Sequence, residues 1–405
     1  MTHPSRHGWV VVLCAFTLMC VGFGSVYTFA AFFKAFEAEF AASRGTISLV
    51  FSLCALLYFA LGAPAGMLAD RFGARRVAVA GVLCLAAGLA AAGTAGSLAV
   101  LCVVYALGVG LGVGLTYVPS VGAVQPWFQA NRAFATGIAV SGIGAGNILF
   151  PPLAVWLIEL LGWRGAYFAL AAFALVVAGA AALAIDNKGA ARTLAEAPPA
   201  AGMTLREAMR TFEFRMLYLT LIAGGGCTFV PMVHLGPYAI DAGYTDAAAV
   251  TLVSLIGLGS MLGRFFAGGI ADRVGRIPCL AGTYAGLGLM FLLWWTTRDY
   301  RVLAAFALVF GAFYGGFVAL FPSIVMDLFG ARQVSGIIGT LYTATGIGTL
   351  AGPTLVGAAF DATGSYGVPI LVSAAIEFAA AGGVLVLMRR MALTLPAEQK
   401  RGMMN

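Results

Sequence analysis

Gly66-Met67-Leu68-Ala69-Asp70-Arg71-Phe72-Gly73-Ala74-Arg75-Arg76 is a polar turn between apolar runs, and its Asp-Arg-x-Gly core returns as Asp272-Arg273-Val274-Gly275. The offset is 272 − 70 = 202 residues. At the same offset Gly137, Gly144, Gly146 and Pro151 recur as Gly339, Gly346, Gly348 and Pro353, and Gly162 and Gly165 recur as Gly364 and Gly367. These positions fall at loops, helix ends and close helix contacts, where backbone geometry tolerates few residue types. Chance matching among 54 glycines is the competing explanation, but it does not easily account for the aligned Asp-Arg-x-Gly turns. The chain therefore reads as two copies of one unit.

The runs between these markers are too apolar for water. Of 405 residues 61% are hydrophobic and 10% charged, against about 25% charged in a soluble domain, and the mean hydropathy is +0.96. Runs of about 20 apolar residues, enough for a helix to cross the hydrocarbon core, lie at roughly 8–33, 46–68, 76–94, 98–124, 133–158 and 164–184. A second set lies at roughly 214–240, 247–270, 278–297, 302–326, 335–358 and 367–389. The expected fold class is an all-α membrane protein with twelve transmembrane helices in two parallel six-helix repeats, the architecture of one large class of secondary transporters. An even number of helices puts both termini on one side. Seventeen Lys and Arg residues would share that face and five the other (Lys34, Arg44, Arg164, Arg298, Arg301), so the positive-inside rule makes the termini cytoplasmic. The expected domains are an N-terminal bundle over 1–185, a cytoplasmic linker over 186–213 and a C-terminal bundle with its tail over 214–405. Within the linker, Leu205, Ala208, Met209 and Phe212 share one helical face, which predicts a short amphipathic helix on the membrane surface. The first apolar run is too long for a signal-peptide core, so no cleavable signal is expected.

The seven cysteines lie in or at the end of apolar runs without C-x-x-C spacing or nearby histidines, which argues against a disulfide framework or a metal site. The net charge of +7 is scattered between spans as orientation signals would be, so nucleic acid is not an expected partner.

The Gly66–Arg76 turn resembles the signature loop between helices 2 and 3 of the major facilitator superfamily, and Gly268–Arg276 resembles its counterpart between helices 8 and 9. Within the superfamily the chain resembles the monocarboxylate transporters and their bacterial relatives, the oxalate:formate exchanger-like branch included. Gly8-Trp9-Val10-Val11-Val12, running on to Ala31-Phe32-Phe33-Lys34, is similar to their first helix. The stretch from Phe128 to Gly142 is similar to their fifth-helix signature, departing where Asn131 replaces a usual Lys or Arg. The similarity spans nearly the whole chain. The acidic, glycine-rich lead of the animal members is missing, which points to the bacterial branch and to a multi-pass protein of the bacterial inner (plasma) membrane.

Arg264 is the most informative residue. It precedes Asp272 by eight residues, about 12 Å along a helix and well inside a half-core of about 15 Å. A central arginine costs roughly 2.5–3.5 kcal/mol on insertion scales. Its helical neighbours Gly257, Ser260, Gly268 and Ala271 are small, which suits a cavity or a helix contact. A guanidinium there can grip a carboxylate through two hydrogen bonds; the alternatives are snorkelling to the headgroups or a structural ion pair. The resemblance implies the first role, since an arginine at the matching place in helix 8 binds the substrate carboxylate in that family. Animal members also have an aspartate one turn earlier and a lysine in helix 1, where this chain has Ser260 and Tyr27. The oxalate:formate exchangers carry a second cation in helix 11 after Tyr-Thr-Ala, where this chain reads Tyr342-Thr343-Ala344-Thr345. One buried cation suits a monoanion better than a dianion.

Tyr27 and Tyr117 are candidates to complete the carboxylate's hydrogen bonds, or are interfacial or core tyrosines. Tyr117 matches a tyrosine that contacts substrate in bacterial relatives. Asn147, Tyr314, Phe321 and Tyr342 are further cavity candidates, with helix packing the competing role. His234, between Pro231 and Pro237, is a candidate for gating or for the coupled proton, or else a neutral imidazole on a carbonyl freed by one of those prolines. Glu377, mid-span in the last helix, is either a structural hydrogen-bond partner or a proton relay. Asp70, Arg71, Asp272 and Arg273 read as conformational locks between cytoplasmic helix ends.

The expected function is secondary active transport of a small monocarboxylate, proton-coupled, by alternating access. An organic-anion exchanger or a drug-type efflux carrier is the alternative, and the latter would place an acid in the cavity where this chain has Arg264. A membrane receptor or intramembrane enzyme would need an extramembrane domain or a catalytic cluster, and no H-E-x-x-H, G-x-S-x-G or nucleotide-binding loop is present. The expected partners are the monocarboxylate anion, a proton and the lipid bilayer. No cofactor or metal is expected, and a monomer suffices.

Overall fold

The computed structural model describes residues 6–124, 127–128, 132–185, 202–330 and 332–394. Among these residues every extended element is a helix. Nine helices are long and apolar enough to cross a membrane, ten if Arg44–Ala60 and Gly62–Ala69, bent by 44° at Leu61, form one span. One of the nine, Ala135–Ala184, has 50 residues, about 75 Å at 1.5 Å per residue, which is far beyond one crossing of the ~30 Å core. It is broken at Gly162, whose φ of 71° and ψ of 167° turn the chain at a place only glycine adopts freely. Val334–Thr363, at 30 residues, is a further helix of spanning length beside the nine.

The repeat is legible in backbone geometry. Gly73 (φ 88°, ψ 143°) and Gly275 (φ 94°, ψ 145°) end the helices Gly62–Phe72 and Asp246–Val274 in the same unusual conformation. The helices Arg44–Ala60 and Asp246–Val274 start alike: the Ser43 side chain accepts from the Thr46 N–H, and the Thr245 side chain accepts from the Ala248 N–H. Packing repeats as well. A methyl group on Gly146 would strike the Cys20 carbonyl and the Gly24 backbone; one on Gly348 would strike the Ile222 carbonyl and the Gly226 backbone. Each pair is offset by 202 (222 − 20, 226 − 24, 348 − 146). The two halves meet along matching crossings, with Gly144 against Met261 and Gly346 against Phe59.

Two elements differ from expectation. The first helix runs past residue 33 to Phe40, as Arg6–Tyr27 and Phe29–Phe40 joined at Thr28. The linker helix is only Leu205–Arg210, because Thr211 adopts extended backbone and caps a new helix, Phe212–Thr228. Of the expected apolar face only Ala208 is buried, Met209 is exposed, and Phe212 belongs to the next helix beneath Arg390. The short helix is held by a capping box in which the Thr204 backbone N–H donates to Glu207 at 2.7 Å. That bond keeps the Glu207 carboxyl below its ordinary range. The segment docks on the C-terminal half: Met203 N–H donates to the Phe329 carbonyl at 2.8 Å and Leu205 N–H to Gln333 at 2.7 Å.

Candidate functional site

The helix Asp246–Val274 is pressed against Tyr300–Phe329 through glycines on both sides. A Cβ on Gly259 or Gly263 would strike the Leu308 or Ala312 carbonyl, and one on Gly311 or Gly315 would strike the Ile256 or Ser260 carbonyl. Two small-xxx-small faces thus interlock, bringing Arg264 on one helix and Tyr314 on the other to a cavity of about 40 Å³. At about 10–15 Å³ per water centre this holds roughly three waters, the size class of a small acid. Phe23, Tyr58, Phe59, Tyr117 and Ile143 line it from the first half; Gly225, Thr228, Phe229, Arg264, Tyr314, Phe317, Val318, Phe321, Tyr342 and Thr345 line it from the second. Among these residues Arg264 carries the only charge.

The guanidinium is incompletely satisfied. Its Nη1 donates to the Val140 carbonyl across the seam at 3.3 Å, whereas Nε and Nη2 are buried without a hydrogen-bond partner. Nε and Nη2 form the side-on edge that a carboxylate takes in a two-pronged contact. Two further cavity-lining side chains are also unpaired, the Tyr58 hydroxyl and Thr345 Oγ1. Buried polar groups are normally bonded, so orphaned groups around one small cavity mark a place built for a polar guest.

Of the sequence candidates, Arg264, Tyr117, Tyr314, Phe321 and Tyr342 line this cavity. Tyr27 does not line it but pairs with Tyr314, hydroxyl to hydroxyl at 3.3 Å across the two halves. Asn147 lies on the seam against Gly257, with Nδ2 at 3.8 Å from the Met232 sulfur. Glu377 is fully buried, with Thr228 at 3.5 Å. Arg71 and Arg273 are exposed, and Arg71 lies over the Phe72 ring; the side chains of Asp70 and Asp272 lie outside the described residues, as does Asn131. Tyr58, Phe23, Phe59, Phe229 and Phe317 were not singled out from the sequence, where mid-span aromatics are indistinguishable from core. Gly62 and Pro64, just after Tyr58 and Phe59, were the available signal of a break there.

At the end of the bundle that is outer in the expected orientation, the halves are tied by charge. Arg44 is buried and bonds Asp241 through both terminal nitrogens (Nη2 at 2.8 Å), while Lys34 reaches the same carboxylate at 3.1 Å. Asp361 accepts from the Arg44 and Gly45 backbone N–H groups, both at 2.9 Å, and so caps a helix of the opposite half. His234 joins this seam, away from the cavity: its Nε2 is 2.8 Å from the Pro353 carbonyl and 3.2 Å from Ser48, and its Nδ1 is 3.2 Å from Tyr366. The carbonyl it meets belongs to Pro353, not to one freed by its own helix's prolines. Tyr366 in turn accepts from Arg44 at 3.0 Å.

The sequence matches the family model described as Major Facilitator Superfamily over residues 14–298 and 251–402. It is 30% identical to monocarboxylate transporter 3 of Rattus norvegicus over 371 residues, covering 89% of this chain and 75% of that protein. The chain belongs to the major facilitator superfamily, in its monocarboxylate transporter family. The transporter is also 28% identical to monocarboxylate transporter 13 of Bos taurus over 405 residues (98% of this chain, 93% of that protein). To monocarboxylate transporter 11 of Homo sapiens it is 28% identical over 386 residues, 91% of this chain and 80% of that protein. It is a multi-pass membrane carrier and not an enzyme.

Proposed function

We propose that the transporter moves a small monocarboxylate anion together with a proton, by rocking its halves about the cavity beneath Arg264. The observation that carries this reading is the buried, unpaired Nε and Nη2 edge of Arg264 facing an aromatic cavity with no second cation. The carboxylate takes that edge, Tyr58 and Thr345 complete its hydrogen bonds, and Tyr117, Tyr342, Tyr314 and Phe321 enclose its apolar end. The names of the relatives support the substrate class, and the small cavity supports a small member of it. The bundles over 1–185 and 214–405 are the rocking units, with the linker over 186–213 and both termini cytoplasmic. Splitting Ala135–Ala184 at Gly162 and adding the bent pair and Val334–Thr363 gives twelve crossings. Asp70, Arg71, Asp272 and Arg273 lock the cytoplasmic ends, and His234 belongs to the outer gate.

The test is uptake of lactate, pyruvate and formate into proteoliposomes under an imposed pH gradient. Uptake that saturates, and that monocarboxylates inhibit mutually, is expected. A carrier that ignores all three acids but moves an amphipathic cation would establish the efflux reading instead.

A further inference from the structure

Glu377 sits on the last helix, Gly367–Thr394, with no surface exposed. Among the described residues no Lys or Arg pairs with it, and its Oε2 has no hydrogen-bond partner. The titratable groups facing it are Cys227 on Phe212–Thr228 and Tyr284 on Arg276–Thr296; neither brings a positive charge. Among the described residues the Thr228 hydroxyl, at 3.5 Å, is its hydrogen-bonding neighbour. Thr228 has a single hydroxyl hydrogen, and a shorter contact, 2.8 Å to the Gly224 carbonyl, claims it. Its oxygen is therefore free to accept from the carboxyl, and a protonated Glu377 makes that pair complementary. Thr228 also lines the central cavity, so a single residue touches both this carboxyl and the substrate's space.

We infer that Glu377 is the site of the coupled proton, reached from the cavity through the Thr228 hydroxyl. The inference rests on the carrier reading above and names the residue that reading leaves open. Charge explains the coupling. With a monocarboxylate on Arg264 the core already holds one positive and one negative charge, and an ionised Glu377 would add an unbalanced negative charge in a medium that penalises it heavily. The loaded carrier therefore takes a proton onto Glu377 from the side of entry. After the anion leaves, Arg264 stands alone as a positive charge. Glu377 then gives its proton to the Thr228 oxygen as that hydroxyl turns its own hydrogen from the Gly224 carbonyl to cavity water on the side of release, and the Glu377 carboxylate balances the arginine for the empty carrier's return. One proton and one anion cross per cycle, and the core is neutral in both moving forms.

The experiment compares wild type with Glu377→Gln and Glu377→Asp in proteoliposomes, using labelled lactate, pyruvate and formate. An acid outside by about one pH unit drives roughly tenfold accumulation in a one-to-one symporter. Wild type is expected to reach it. Glu377→Gln, fixed in the neutral form, is expected to lose accumulation and yet exchange internal for external acid at near the wild-type rate, because exchange returns the loaded carrier and releases no proton. Glu377→Asp, which keeps a titrating group, is expected to recover part of the accumulation. Accumulation by Glu377→Gln equal to wild type would overturn the proton site alone. Loss of accumulation and exchange together in both variants, at normal membrane insertion, would make Glu377 structural and overturn it too. Failure of wild type to take up any of the three acids would overturn the carrier reading, and this inference with it.

Discussion

Arg264 offers two donors on one planar edge, and an ammonium group cannot reproduce that fork. Arg264→Lys keeps the charge and is expected to lose most transport; losing one charge-assisted hydrogen bond of about 1.5–3 kcal/mol is worth roughly 10- to 150-fold. Initial uptake rates at matched expression check this, and near-normal uptake would reduce Arg264 to a charge or a packing element. Tyr58→Phe removes only the orphaned hydroxyl and keeps the edge-on contact with Phe23 (centroids 5.5 Å apart), so KM is expected to rise while thermal stability holds. At Thr345, buried beside the cavity, a lysine should shift competition from monocarboxylates toward oxalate, which is expected to compete only weakly in the wild type; strong oxalate competition in the wild type would reveal a second positive charge in the cavity. Arg264 could be read from sequence because a charge at that depth is costly whatever surrounds it. Tyr58 could not, since its ring fits any packed helix and its unpaired hydroxyl appears only when the two halves come together.

At the scale of elements, glycine spacing decides how closely helices approach. Gly263→Ala and Gly315→Ala place a methyl group into the Ala312 and Ser260 carbonyls respectively; each is expected to cost about 1–3 kcal/mol by overpacking and to misplace Arg264. Gly282→Ala meets nothing within 4 Å and should be neutral or mildly stabilising through helix propensity. Thermal unfolding in detergent separates the cases, and equal melting temperatures for all three would deny that these contacts set the approach. The repeat made the glycine pattern legible beforehand, since turns and close contacts restrict residue choice locally. Element ends were less legible. Phe40 closes the first helix well beyond the apolar run because the extension buries Phe32, Phe33 and Phe36 on one face while Lys34 and Glu37 pair on the other (2.8 Å), and Thr211 stops the linker helix by capping the next.

For the whole molecule, the closure around Arg44 breaks the repeat, which is why the sequence did not disclose it. Adding 202, Arg44 corresponds to Asp246, so the guanidinium that holds Asp241 has no basic equivalent in the other copy, although the carboxylates Asp241 and Asp361 correspond to Glu39 and Glu159. Lys34 and Arg44 read as orientation charges; in the structure Arg44 is buried and holds Asp241 and the Phe360 ring, whose centroid is 4.1 Å from the guanidinium carbon. The proposed alternating access requires this seam to open, and a shift of only about 1.4 kcal/mol would change the ratio of open to closed forms tenfold. Asp241→Asn removes one of the two carboxylates that Arg44 and Lys34 share and leaves the buried guanidinium with Glu37 at 3.1 Å, so the closed form is expected to lose stability relative to the open one. Ser48, fully buried beside His234, reports the change. With the native cysteines replaced, a cysteine introduced by Ser48→Cys should react slowly with an impermeant thiol reagent added outside intact cells. Combined with Asp241→Asn it should react about tenfold faster, and a saturating monocarboxylate should alter both rates. Equal labelling with and without Asp241→Asn would show that the seam is held by the glycine crossing at Gly45 and Gly357 and not by its charges, while labelling from the cytoplasmic side alone would reverse the orientation of the whole bundle.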